Sequence, residues 1–248
     1  MGTAIVIDVR DPAPPEQSVD HALDAAFEYF RAVDERFSTY KPDSEISRLN
    51  RGLIGAHDVS RQMRDVLDLS EQARVVSDGY FDIRGHREDG QADPSGLVKG
   101  WSVDGAARFL DAAGISNYCI NAAGDLVCRG SAEDGGGWRI GIRDPWDEQA
   151  IAATVTICDQ AIATSGAYER GNHVVSPPTH RPPEGIASMS VIGPNLTWAD
   201  TWATAAFAMG VRGVDWVARD LDGYEACAIS SDRHLVMSAG FERVLARS

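Results

Sequence analysis

The sequence predicts an α+β fold, with mixed or antiparallel sheets and flanking helices in one domain spanning residues 1–248. Three observations carry that prediction. Helical and strand-like segments come in blocks rather than in strict alternation, which disfavours a doubly wound parallel sheet. The middle of the chain is a run of short strand-like segments with turn residues between them. No low-complexity linker or short-period repeat divides the chain, and the weak boundary near residues 114–117 does not separate two units.

The elements follow in order. "TAIVIDV" reads as an opening strand, closed by the proline-rich "DPAPPE". From Ser18 the apolar residues Leu23, Phe27, Phe30, Val33 and Phe37 recur at three- and four-residue spacing, the period of an amphipathic helix. Asp43 or Ser44 is placed to cap a short helix, with Glu45 in its first turn. A further helix fits residues 60–77, with Ser60 as N-cap and Gly79 just past its end, and another fits about 98–113, stopping at Gly114. "YCINAAGDLVCRG" reads as two strands joined at Ala123-Gly124-Asp125, and "WRIGIRDP", "IAATVTICD", "QAIATSG", "NHVVSP" and "ASMSVIG" continue as strands. Helices return at about 198–210 and 213–221, and "YEACAISS" with "HLVMSAG" suggests a closing hairpin.

A chain of 248 residues that is 44% hydrophobic can bury a full core. Its net charge of -14 repels phosphate backbones and anionic lipid, which argues against a general nucleic-acid or membrane binder. An anionic ligand would need a metal ion or local Lys/Arg, and an acidic protein has oxygen ligands for a metal. Cys119, Cys128, Cys158 and Cys227 form no C-x-x-C pair and sit in apolar, strand-like contexts, so four buried thiols in a reducing compartment are expected. The start "MGTAIVIDVRDPAPP" lacks a basic n-region, and no apolar run approaches transmembrane length, so a cytoplasmic location is expected. Oligomeric state has no readable signal.

Several stretches can carry chemistry, and each also fits a plain structural role. Tyr40, after the first helix, is either part of a capped connection or a flat ring for stacking on a planar ligand. Phe81 and Asp82 in "GYFDIRG" follow a helix stop, as turn residues or ligand contacts. In "DPSGLVKGWSVDGAA", Asp93 and Pro94 begin a turn, Gly96 allows close backbone approach, and Lys99-Gly100 open a helix whose N–H groups, with the lysine, suit a phosphate. The Walker A spacing is absent. Thr164, Ser165 and Gly166 fall at a strand end without the G-x-S-x-G elbow, and no Ser/His/Asp triad can be assembled. In "WADTWATAAFAMG", Asp200 and Thr204 lie at i and i+4, on one face of a helix, and can supply two hard oxygens to a Mg²⁺ shell.

Taken in order, "FSTYKPDSEISRLN", "GYFDIRG", "DPSGLVKGWSVD", "NAAGDLVCRG", "WRIGIRDP", "AIATSGAYER", "HVVSP" and "ADTWATAAFAMG" resemble the ApbE-like family of FAD:protein FMN transferases, from about residue 1 to about residue 211. The resemblance implies an α+β fold that takes FAD as substrate and Mg²⁺ as cofactor, with Mn²⁺ able to use the same oxygen ligands. It implies transfer of FMN from FAD to a threonine or serine hydroxyl of a target flavoprotein, with release of AMP. Hydrolysis of FAD to FMN and AMP, or flavin binding without catalysis, are the alternative activities.

Carried over by position, Asp200 and Thr204 would be metal ligands, with the carbonyls of Gly96 and Ala203. Met1, Tyr40, Tyr80, Phe81, Asp82, Asp93, Lys99 and Val175 would contact FAD. His173, in "GNHVVSPPTHRPP", matches the histidine that acts as base near the attacking hydroxyl. Ser176 stands where the family usually has Asp, so any orienting partner there is neutral.

Overall fold

The computed structural model describes residues 3–11, 16–85, 89–132, 135–166 and 181–246. Their strands, in chain order, are β1 (Ile5–Val9), β2 (Tyr118–Ala122), β3 (Asp125–Arg129), β4 (Trp138–Asp144), β5 (Asp147–Ile157), β6 (Gln160–Gly166), β7 (Ile186–Gly193), β8 (Glu225–Ser230) and β9 (Leu235–Met237). Seven form one sheet in the order β1-β2-β3-β6-β7-β8-β9, antiparallel at every pairing. β4 and β5 pair with each other as a separate antiparallel ribbon. The sequence left mixed sheets open, and the structure narrows this to antiparallel pairing.

Alternation along the strands sorts side chains into two cores. Ile120, Val127, Ala161, Ala163, Met189, Val191, Ala226 and Ala228 join the large core on the helical side. Their neighbours Cys119, Leu126, Cys128, Ile162, Ile192, Cys227 and Ile229 join a smaller core with Trp138, Ile142, Val155 and Ile157 of the ribbon. The sheet is therefore covered by helices on one face and by the ribbon on the other. The thiols of Cys119 and Cys128 face each other across β2 and β3 at 3.5 Å, and both are free. The expectation of four buried thiols holds for three: Cys158, in the turn between β5 and β6, is exposed.

The helices are α1 (Glu16–Phe37), α2 (Glu45–Asn50), α3 (Arg61–Val76), α4 (Ser95–Ala112), α5 (Leu196–Ala208) and α6 (Gly213–Asp220). Ser44 rather than Asp43 caps α2, its side chain accepting from the Ser47 N–H at 3.1 Å. Ser60 caps α3 as expected, accepting from the Met63 N–H at 3.2 Å. The Ser60 hydroxyl also donates to Glu45 at 2.8 Å, which ties α2 to α3.

Two helices start earlier than their patterns suggest. α4 begins at Ser95, because Pro94 presets a helical φ and the Asp93 carboxylate accepts from the Ser95 N–H at 3.1 Å. α5 begins at Leu196, because the Asn195 side chain accepts from the Trp198 N–H at 3.0 Å. No helix among the described residues is long and apolar enough to cross a membrane.

Candidate functional site

The site forms where α4 crosses α5 above the helix-facing side of β3 and β6. Two contacts from α4 set the position of α5. The Asp104 carboxylate accepts from the backbone N–H of Leu196 at 3.0 Å and of Thr197 at 2.7 Å, satisfying donors that the start of a helix leaves open. One turn earlier, Gly100 lets the backbones meet: a Cβ there would lie 2.3 Å from the Leu196 carbonyl oxygen. The Gly100 N–H donates to Asp200 Oδ2 at 3.2 Å. Asp200 is thereby held by the neighbouring helix as well as by its own.

Asp200 is 3% exposed. Burial pushes its carboxyl well above the usual carboxylate range, Lys99 opposes that rise and the negative charge of Asp125 adds to it. The Lys99 ammonium forms a close ion pair with Asp125 and stands 3.5 Å from Asp200 Oδ1. Asp125 is 2% exposed and opens β3. Its placement follows from the hairpin: Ala123 (φ 52°) and Gly124 (φ 101°) both adopt positive φ, as a type I′ turn requires, and the Asn121 side chain accepts from the Gly124 N–H at 2.8 Å. Strand parity then puts Asp125 on the helix face with Val127. Its Oδ1 accepts from the Thr164 N–H of β6 at 2.9 Å.

Thr204, one turn along α5 from Asp200, is only partly covered, and its hydroxyl lies 3.4 Å from that of Ser165. Gly96 approaches from α4: a Cβ on it would sit 4.0 Å from Thr204 Oγ1 and 3.4 Å from the ring of Phe81. A carboxylate, two hydroxyls and the backbone at a glycine converge here. This donor set is entirely hard oxygen, the chemistry that suits Mg²⁺ or Mn²⁺.

The family model described as the ApbE family matches residues 1–87 and 84–228. The chain belongs to the ApbE family. Among relatives, it is 28% identical to the FAD:protein FMN transferase of Escherichia coli K12, over 86% of this chain and 76% of the relative. It is 30% identical to that of Vibrio cholerae, over 72% of this chain and 70% of the relative. The solved flavin transferase ApbE from Vibrio cholerae superposes with a TM-score of 0.81 at 24% identity, covering 99% of this chain and 96% of the other. The ApbE protein of Thermotoga maritima gives 0.81 at 20% identity, covering 99% and 97%. At these identities the structural likeness shows a shared ApbE fold.

The expected ApbE site residues fall into three groups. Asp200, Thr204, Gly96, Phe81 and Lys99 come together, with Ala203 buried on α5 beside them. Lys99 differs from its expected setting. It lies in the second turn of α4 rather than at an open helix start, and the adjacent Gly100 N–H is taken by Asp200. Tyr80, Asp82 and Asp93 lie outside the ionic centre. Tyr80 lines a cavity with Arg181 and Arg212. Asp82 accepts from the Arg84 N–H at 2.8 Å, and Asp93 serves the start of α4. Tyr40 is 93% exposed, with its ring open to a ligand. Met1, His173, Val175 and Ser176 lie outside the described residues.

Sequence reasoning missed Asp125 and Ser165 as members of this centre. The signal for both was strand parity. Each alternates with buried apolar residues on the helix-facing side, Asp125 before Val127 and Ser165 after Ala163.

Proposed function

We propose that this protein is a Mg²⁺-dependent FAD:protein FMN transferase, which moves FMN from FAD onto a threonine or serine hydroxyl of a target flavoprotein and releases AMP. The observation that carries this reading is the hard-oxygen centre of Asp200, Thr204 and Gly96 in an ApbE-family chain. Its relatives are named for this reaction.

Asp200, Thr204 and the carbonyls of Gly96 and Ala203 would hold the cation. Bound there, it would neutralise charge on the pyrophosphate of FAD. Lys99, held between Asp125 and Asp200, would temper the negative charge that those phosphates meet. Tyr40 offers an exposed ring for the flavin, and Tyr80, Phe81, Asp82, Asp93 and Val175, with Met1, complete the proposed FAD contacts. Holding both substrates in line is the main contribution, because phosphoryl transfer depends chiefly on positioning and electrostatics.

The acceptor hydroxyl oxygen bonds to the phosphorus on the FMN side. The bridging P–O bond breaks and AMP leaves with its electron pair. His173 takes the proton from the hydroxyl. Ser176, where the family usually has Asp, could serve that imidazole only as a neutral partner. We place the reaction in the cytoplasm, a reducing setting in which the cysteines would stay as thiols.

The test is AMP release from FAD with Mg²⁺, with and without a candidate acceptor, together with in-gel flavin fluorescence of that acceptor. A fluorescent band that survives denaturation, with AMP formed only when acceptor is present, is expected. AMP without acceptor and without a labelled band would replace the transferase reading with FAD hydrolysis. Asp200→Ala should lower Mg²⁺-dependent turnover by at least about 10²-fold. Unchanged turnover would remove Asp200 from the metal site. His173→Ala should slow single-turnover transfer by about 10²–10⁴-fold while leaving FAD affinity intact. The reverse pattern would make His173 a binding residue.

A further inference from the structure

We infer that Asp125 is a positioning residue that draws the Lys99 ammonium off Asp200 and so keeps an Asp200 oxygen available to the divalent cation. The inference deepens the transferase reading and rests on it for the cation.

Lys99 stands between two buried carboxylates, and it lies nearer to Asp125 than to Asp200. Asp125 cannot follow the lysine toward Asp200, because its Oδ1 is bonded to the Thr164 N–H of the adjacent strand at 2.9 Å. Asp200 is likewise fixed, its Oδ2 accepting from the Gly100 N–H, which leaves Oδ1 as the atom facing the lysine at 3.5 Å.

Without the charge on Asp125, the only carboxylate of this trio left to the ammonium is Asp200. A lysine paired directly with Asp200 would neutralise the ligand and stand close to an incoming divalent cation, and like charges at short range in a poorly solvated site repel strongly. Asp125 supplies the compensating charge. With it, the two acids and the lysine carry a net negative charge that a divalent cation can meet. The strand ladder and the Thr164 bond hold Asp125 rigidly, as a partner of this kind requires.

The test measures Mn²⁺ affinity of the full chain by electron paramagnetic resonance, without FAD. Asp200→Ala should remove the site and so mark the signal that belongs to it. Asp125→Asn keeps the size of the side chain and an oxygen for the Thr164 N–H, and should weaken Mn²⁺ binding by about 10–100-fold. Removing the lysine as well should reverse the loss: the double variant Asp125→Asn with Lys99→Met should bind Mn²⁺ within roughly threefold of the unaltered protein, a non-additive cycle.

A merely structural role for Asp125 would leave the double variant as weak as Asp125→Asn, and that result overturns the inference. Unchanged affinity in Asp125→Asn, or no Asp200-dependent Mn²⁺ site at all, overturns it too. Because the readout uses no FAD, a protein that binds Mn²⁺ in this pattern but labels no acceptor would sink the transferase reading and leave the role of Asp125 standing.

Discussion

Helices α1 and α5 both bury a face, but they do so in different ways. α1 buries one stripe, Ala22, Ala26, Phe30, Val33 and Phe37, and exposes much of its other side. α5 buries every residue except Trp198 and Thr204, including Asp200 and Thr201. Large side chains hold α1 in place. Close backbone approach holds α5: Gly100 of α4 lies against Leu196, and Gly213 lies so near Ala206 that a Cβ would be 2.2 Å from its carbonyl oxygen. The helix that carries the site is fixed by contacts that leave no room for an added atom, and this rigidity is what an oxygen ligand set needs.

The largest effect on stability should come from α1. Phe30 is buried and packs near the rings of Phe27 and Tyr29, at 6.3 and 6.4 Å between centroids. Phe30→Ala should lower the unfolding free energy by about 3–5 kcal/mol, measured in denaturant. Mn²⁺ affinity of the protein that remains folded should not change. A loss of affinity would break the comparison, since it would couple the amphipathic helix to the site.

Gly100→Ala is the counterpart on the site side. Its Cβ would overlap the Leu196 carbonyl, and helix backbone cannot rotate aside as a side chain can. A stability loss of about 1–3 kcal/mol is expected. Here metal affinity should fall as well, because α5 must move and the Gly100 N–H bond to Asp200 at 3.2 Å must stretch. Gly213→Ala sharpens the test. It should overpack α5 at its far end with a similar stability loss and a smaller change in affinity. Equal affinity losses at Gly100 and Gly213 would show that the site senses the whole helix rather than its crossing with α4.

The same contrast explains what was legible in the sequence. Phe27, Phe30, Val33 and Phe37 announce α1 by their period, and Ser60 with Gly79 brackets α3. The Asp200–Thr204 spacing is by itself enough to place two oxygens on one face of a helix. The starts of α4 and α5 were less legible, because Asp93 and Asn195 bond backbone N–H groups in ways that the apolar pattern does not record. Asp125 was hidden for a different reason. An acid after Ala123-Gly124 reads as a polar turn residue, and its burial depends on Lys99, 26 positions earlier, and on Thr164, from which it is 39 residues apart. Long-range ionic pairing leaves no periodic trace. Only the parity of β3, with Val127 on the helix face, pointed to it.

The smallest predicted effect tests how that hairpin is set. Ala123 has φ 52°, a left-handed conformation that its Cβ disfavours, and Gly124 beside it has φ 101°. The turn is held by the Asn121 side chain on the Gly124 N–H and by the Ala123 N–H donating to the Ala4 carbonyl at 3.1 Å. These contacts do not involve the methyl group, so Ala123→Gly should relieve the steric cost without removing a bond. The greater freedom of glycine in the unfolded chain offsets part of that gain. A net stabilisation of about 0.5 kcal/mol is expected, a rise in Tm of about 1–2 °C for a chain of this size. Mn²⁺ affinity should stay the same, because the strand ladder and the Thr164 N–H, rather than turn strain, fix Asp125. A fall in affinity with Ala123→Gly would mean that the strained turn itself aims Asp125 at Lys99, and the rigidity of the site would then extend from the helix crossing into the β2–β3 hairpin.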